Sequence, residues 1–386
     1  MTIKPGLKQK LAKSCFKIIL IATFAFFTIY AGEVSGAARR AIVLCLNIVI
    51  PSLFPFFVLT QLFIKWGLGH SLGIVFSPVA GVLFRQRGIC LVPFLLSILS
   101  GYPVGVHSIV TLYQDQLCTK EEAHFMLSFC SNCGPAFLMG AVGIGFFQNP
   151  SLGWALYICH VFCALLTGLI LSFLPAFSPK NKTHIKKMPT GTAGPVSILP
   201  SFLNTVSDSF MQALHVSAFI IFFCVVIHLL EIAGITGIIA GFFYRVFPLF
   251  PLEALRAAFA GFIEMTRGTE LASLFPNFAI SVLLASGLCA FSGLSIHFQV
   301  LFLLKDVPLK KWPYFLGKTL HTVLCIITTC FALRKNWLPF SLPAFSSTGP
   351  EHHFSHWHVG GLSALLCLLL FAVAFIFRCL QHKKRR

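Results

Sequence analysis

Charge is what this sequence has least of. Only 10% of its 386 residues are charged, and Asp and Glu together number 11. A soluble globular domain carries about 25% charged residues, so a chain clothed throughout in a water-facing surface is excluded. Catalytic signatures are missing as well. There is no phosphate-binding loop ending in Gly-Lys-Ser/Thr, no nucleophile elbow and no His-Glu-x-x-His helix. The expectation is therefore no enzyme, no catalytic residue, no cofactor and no metal site.

What fills the chain is apolar. Hydrophobic residues make up 57%, 43 of them phenylalanine, and the mean hydropathy is +0.86. Those values belong to polytopic membrane proteins, whose spans need about 20 apolar residues to cross ~30 Å of hydrocarbon. The formal charge of +18 comes from 29 Lys and Arg, an imbalance that suggests nucleic acid in a soluble protein. Here the cations sit at segment ends: Lys4, Lys8, Lys10 and Lys13 before the first apolar run, Lys180, Lys182, Lys186 and Lys187 in a central loop, and Lys383 to Arg386 at the end. The reading is no nucleic acid, both termini and the central loop cytoplasmic, and contact with anionic membrane lipids. Most of the 14 cysteines lie singly in apolar runs and imply no disulfide framework. The first apolar run reads as a retained anchor, because the same character continues throughout.

The spacing predicts a first span over 15–31, a second over 41–66 interrupted by Pro51 and Pro55, and a shorter segment over 70–84 holding Pro78. Spans over 89–113, 123–147 and 152–174 follow. After a Lys-, Thr-, Gly- and Pro-rich divider, 178–200, come segments over 210–232, 234–250, 252–274, 279–304 and 312–333, and a last span over 359–380 behind His352, His353, His356 and His358. With the first and last spans set aside, five elements stand on each side of the divider, with interruptions in the third and fourth of each set. The expected fold is all-α: a polytopic transmembrane helical protein with two pseudo-symmetric, inverted repeats and discontinuous helices. The domains are a tail and first helix (1–38), a first repeat (39–177), a basic cytoplasmic linker (178–200), a second repeat (201–335), and a histidine-containing loop, last helix and basic tail (336–386).

The interruptions carry the functional reading. Breaks are predicted at Gly101 with Pro103, at Gly134 with Pro135, at Gly268, and at Ser292 with Gly293. Unpaired backbone groups survive in a membrane only where they are buried in protein or line a wet cavity, and paired breaks in two halves point to a transporter's binding site. Exposed helix N-termini there favour an anionic or strongly polar ligand. The alternative for each break is a packing kink of small residues. The candidate substrate residues are Gly101, Tyr102, Pro103, Gly105, Ser131, Asn132, Gly134, Pro135, Glu264, Thr266, Arg267, Gly268, Ser292, Gly293, Ser295 and Gln299. Glu264, Arg267 and Glu270 fall three apart, so one helix face is expected to present all three, with Arg267 paired to either acid; helix pinning is the alternative. His107, His215, His228, His297 and His321 read singly as hydrogen-bonded packing residues and together leave proton coupling open. Cys130 and Cys133 form C-x-x-C, but no second pair exists to complete a zinc site, and a reactive thiolate is costly in mid-membrane.

Six stretches, "PSLFPF", "SGYPVG", "KEEA", "FCSNCGPAF", "GFIEMTRG" and "FSGLSIHFQ", together resemble the YlbJ-like sporulation integral membrane proteins of the nucleoside-recognition, or Gate, domain group. The resemblance spans roughly residues 41–333. It implies a multi-pass protein of the mother-cell or outer forespore membrane of an endospore former, associated with movement of dipicolinic acid, on an architecture shared with concentrative nucleoside transporters. Cys133 stands where the pattern has a small hydroxyl residue, and Ser131 where it has asparagine. The resulting expectation is a secondary-type transporter of a small anionic or aromatic metabolite, dipicolinate first, driven by a coupling ion or the substrate gradient. A nucleoside transporter of the same architecture, a non-transporting scaffold for sporulation membrane partners or a homo-oligomer, and a membrane thiol oxidoreductase are the alternatives.

Overall fold

The computed structural model describes residues 20–65, 68–177, 198–246 and 250–338, with 14, 17 and 248. The flanking lysine clusters, most of the central divider, the histidine-rich stretch and the last predicted span lie outside the described residues. Within them every regular element is a helix and no strand is present. The fold is all-α and polytopic, as the hydropathy required.

Helix α1 (Leu20–Ile29) meets the helix that follows at 89°. That helix, α2 (Ala31–Leu44), runs through a π-wound turn, Cys45–Val49, into α3 (Ile50–Lys65) without leaving helical conformation. The expected interruption at Pro51 and Pro55 is corrected here. The widened turn ahead of Pro51 absorbs the missing donor and the ring clash that proline brings. Next come α4 (Leu68–Val79), a π turn over Ala80–Phe84, and a 90° bend into the segment that begins at Gly88.

Two helical hairpins follow the same plan. In the first, α5 (Val92–Ser100) and α6 (Tyr102–Gln114) are joined by Gly101 alone. They fold back on each other, so that Gly105 lies beside Ser97. Gly101 has φ 99° and ψ −175°, a conformation nearly exclusive to glycine. In the second, α11 (Leu252–Ile263) and α12 (Met265–Ser273) are joined by Glu264 alone, and Gly268 crosses the other arm at Gly261 with no room for a methyl group. The break thus falls at Glu264, and the expectation of a break at Gly268 is corrected: Gly268 is inside α12 as a contact point. A nine-residue arm such as α5 or α12 is about 14 Å long, half the hydrocarbon thickness. An arm of that length that starts at the membrane surface ends near mid-depth.

Each hairpin is followed by a helix that is broken but does not fold back. α7 (Lys120–Leu127) is opened by a capping box, in which the Thr119 hydroxyl accepts from the Glu122 amide (3.2 Å) and the Glu122 carboxylate accepts from the Thr119 amide (2.8 Å). Arg87 donates to the same carboxylate at 2.6 Å, which lifts its guanidinium above its ordinary value. The chain unwinds over 130–134 and resumes as a π-wound helix, Ala136–Phe146. In the second half, α13 (Phe278–Phe291) and α14 (Gly293–Leu303) are separated at Ser292. Ser292 and Gly293 both have left-handed φ, 85° and 70°. Each half ends on an unbroken helix, α8 (Pro150–Ser172) and α15 (Trp312–Arg334). The second half opens with α9 (Ile198–Ile232), which starts well before the predicted residue 210, and the short α10 (Ile235–Val246).

Apolar side chains turn outward along the spans: Phe24 is 76% exposed and Ile238 72%, as lipid contact requires. The interior packs phenylalanines behind the first break, where Phe129 stacks on Phe84 and Phe94 with ring centroids 5.5 Å apart. This wedge fixes one end of the unwound segment.

Candidate functional site

The hairpin tips and helix breaks meet. The Tyr102 hydroxyl at the first tip donates to the Cys289 carbonyl near the end of α13 and touches the Met265 sulfur at the second tip at 3.4 Å. Gly134 faces Gly101, and Gly293 faces the backbone of Gly261, Ile263 and Met265. Between them lies a narrow cavity of about 90 Å³. A water needs only about 10–15 Å³ measured in this way.

Seven of the candidate residues line this cavity: Gly101, Tyr102, Pro103, Gly134, Glu264, Thr266 and Gln299. Cys133, Phe137, Val216, Ile220, Met265 and Ile296 complete much of the rest. The wall is apolar with a few convergent polar groups, the ordinary composition of a small-ligand site.

The remaining candidates stand behind the wall. Asn132 is fully buried and donates to Ser97 Oγ (2.9 Å) and the Phe129 carbonyl (2.8 Å), leaving its Oδ1 without a partner. Ser131 Oγ, Ser292 Oγ and Ser295 Oγ are likewise buried and unpaired, as is Nε2 of Gln299 in the wall itself. Gly105 lets α6 lie against the Cys130 carbonyl, and Pro135 starts the helix after the break. Ser292 and Gly293 form the α13–α14 break, and Gly268 serves arm packing.

Charge is distributed differently from the expectation. Glu264 precedes α12, and its carboxylate accepts from the Thr266 (3.1 Å) and Arg267 (2.8 Å) amides. It caps the helix and does not share a face with Arg267 and Glu270. Arg267 bonds Glu270 at 2.8 Å and reaches Glu231 at 3.9 Å. With Thr266, Glu270, His228 and Arg40, Arg267 lines a neighbouring pocket of about 250 Å³ and is absent from the wall of the central cavity. The helices beginning at Tyr102, Pro135 and Gly293 have no side-chain cap, which leaves their first-turn N–H groups to backbone, water or ligand.

Two residues that sequence reasoning missed lie against the breaks. Lys318, in a span expected to be uninterrupted, is 4% exposed; its ammonium donates to the Ser131 carbonyl at 3.2 Å and lies 4.9 Å from the Tyr102 ring centroid. His160 on α8 accepts from the Cys133 amide at 2.9 Å through Nε2, capturing a donor freed by the unwinding. The signal for both was polarity inside an apolar run. His321 contacts the His160 carbonyl at 3.0 Å and His297 bonds Tyr314 at 2.7 Å, so these two histidines are hydrogen-bonded packing residues. His160, His321 and Cys325 bring their ligand atoms within 4.8 Å of one another. Their existing hydrogen bonds and the Lys318 ammonium one turn away on α15 weigh against a metal cation there. Cys130 and Cys133 are both buried free thiols.

Against known proteins, no family profile matches the chain. It is 27% identical over 333 residues to the sporulation integral membrane protein YlbJ of Bacillus subtilis (strain 168), an alignment covering 80% of this chain and 81% of the relative. Among solved structures, CNTnw in an inward-facing substrate-bound state superposes with a TM-score of 0.51 at 15% identity, covering 84% of this chain and 86% of that one. A double variant of CNTnw in an outward-facing state gives 0.52 at 16% identity, over 85% and 87%. The resemblance read from the motifs therefore extends along most of the chain: this is a multi-pass membrane protein similar in sequence to YlbJ and sharing the helical fold of CNTnw.

Proposed function

We propose that the chain is a secondary-type transporter of a small anionic or aromatic metabolite, with dipicolinate as the leading substrate, acting in a membrane of endospore formation. The observation that carries this reading is the convergence of two hairpin tips and two helix breaks on one narrow cavity. A scaffold gains nothing from such an arrangement, because each break costs backbone hydrogen bonds that an intact helix keeps. The uncapped helix starts at Tyr102 and after Pro135 support an anion preference, and Tyr102 and Phe137 give the cavity an aromatic lining suited to a planar ligand. Similarity to a sporulation integral membrane protein supports placing it in such a membrane. With both termini inside, an epitope inserted after residue 187 should be reached by antibody only in permeabilised cells.

The test is uptake of radiolabelled dipicolinate into proteoliposomes holding the purified chain, under imposed sodium, proton and substrate gradients. Gln299→Ala should reduce uptake by about tenfold, the loss of a hydrogen bond or two to the ligand, while the protein still reconstitutes. No uptake under any gradient overturns the transport reading. A nucleoside as substrate is favoured by one observation: the Glu264 carboxylate in the cavity wall suits a hydroxyl-bearing ligand better than a second anion. Uridine in the same assay separates the two readings.

A further inference from the structure

A buried ammonium needs a reason. Lys318 lies among apolar residues of α15, and among the described residues no carboxylate comes within 4 Å of it. The groups that face it are Cys133 from the unwound segment, Tyr102 from the first hairpin tip, His160 from α8, Cys289 from α13, His297 from α14, and His321 and Cys325 from its own helix. None carries a negative charge as a matter of course. Among the described residues its hydrogen bond goes to a backbone carbonyl, that of Ser131, inside the stretch where α7 has unwound.

Unwound carbonyls and the C-terminal ends of half-helices are where broken membrane helices hold a metal cation, because these oxygens have lost their helical donors and the local dipole is negative. Here a side-chain cation already occupies that position. The packing is arranged for it: at Gly317 a single methyl group would collide with the Ser128 carbonyl, so only glycine lets α15 approach closely enough for the next residue to reach Ser131. We propose that Lys318 is a tethered cation, whose ammonium takes the place of an inorganic cation at the freed carbonyls of this break. The intact protein then needs no metal ion there, and a variant lacking the amine acquires a site for one. This bears on the coupling ion of the transport reading, but it rests on the fold and not on the substrate.

The test uses thermal stability, which needs no substrate, so a failed uptake assay leaves it intact. The purified full chain is melted in sodium, lithium, potassium, methylammonium and choline chlorides at equal ionic strength. The wild type should melt within about 1 °C across the series, whereas Lys318→Ala should gain about 3 °C or more, saturably, with sodium, lithium or methylammonium over choline, as expected for a ligand well above its Kd. Lys318→Gln, which keeps most of the volume, repeats the measurement if the alanine variant does not fold. A saturable, cation-specific rise in the wild type overturns the proposal, and so does a folded variant no more cation-sensitive than the wild type. If neither variant folds, the wild-type series decides in the same terms.

Discussion

At the scale of the residue, the site depends on small side chains that allow backbone to approach backbone. Gly317→Ala places a methyl group on the Ser128 carbonyl, so overpacking should cost about 1–3 kcal/mol. Gly140→Ala, where nothing lies within 4 Å of the added carbon, should be neutral or mildly stabilising; melting of the two purified variants checks the contrast. Tyr102→Phe removes the donor to the Cys289 carbonyl and should cost about 1 kcal/mol, with faster amide exchange at both hairpin tips. Much at this scale was legible. Gly101, Tyr102, Pro103 and Gly134, singled out at the breaks, and Glu264, Thr266 and Gln299, singled out as polar residues in apolar segments, line one cavity. Lys318 was not singled out, because a lysine six positions after the start of a span looks like one that reaches the interface along its own stem. Only the close packing at Gly317 turns it inward.

At the scale of the element, the sequence announces a break but not the direction the chain takes after it. Gly101 and Glu264 each reverse the chain into a hairpin, whereas 130–134 and Ser292 let it go on. All four read alike as polar residues and glycines between apolar runs, since the outcome is set by what each arm packs against. Proline was misleading for a related reason: Pro51 and Pro55 are strong helix breakers locally, yet the π turn at Cys45–Val49 keeps the helix whole. The cap on the second hairpin gives an element-scale prediction. Glu264→Ala frees the Thr266 and Arg267 amides and should destabilise α12 by about 1–2 kcal/mol, seen as faster hydrogen exchange confined to 265–268. Exchange unchanged there would mean that packing alone holds the arm.

At the scale of the whole molecule, one order of elements occurs twice: a long helix, a short helix, a hairpin, a broken helix and an unbroken one. That rhythm was visible as five segments on each side of a basic divider, because hydropathy records span length faithfully even where residue identity does not repeat. Closure of the two halves on a ligand should slow exchange of the 130–134 and 264–267 amides together. Protection of one stretch without the other would mean that the halves do not act on a common ligand. The two tips are nevertheless unlike. One presents the uncapped helix start at Tyr102, and the other a carboxylate at Glu264. A guest lying between them is therefore sorted end for end, its electron-rich edge toward one and its proton-bearing edge toward the other. A symmetrical diacid fits that asymmetry best when only one of its two acids is ionised.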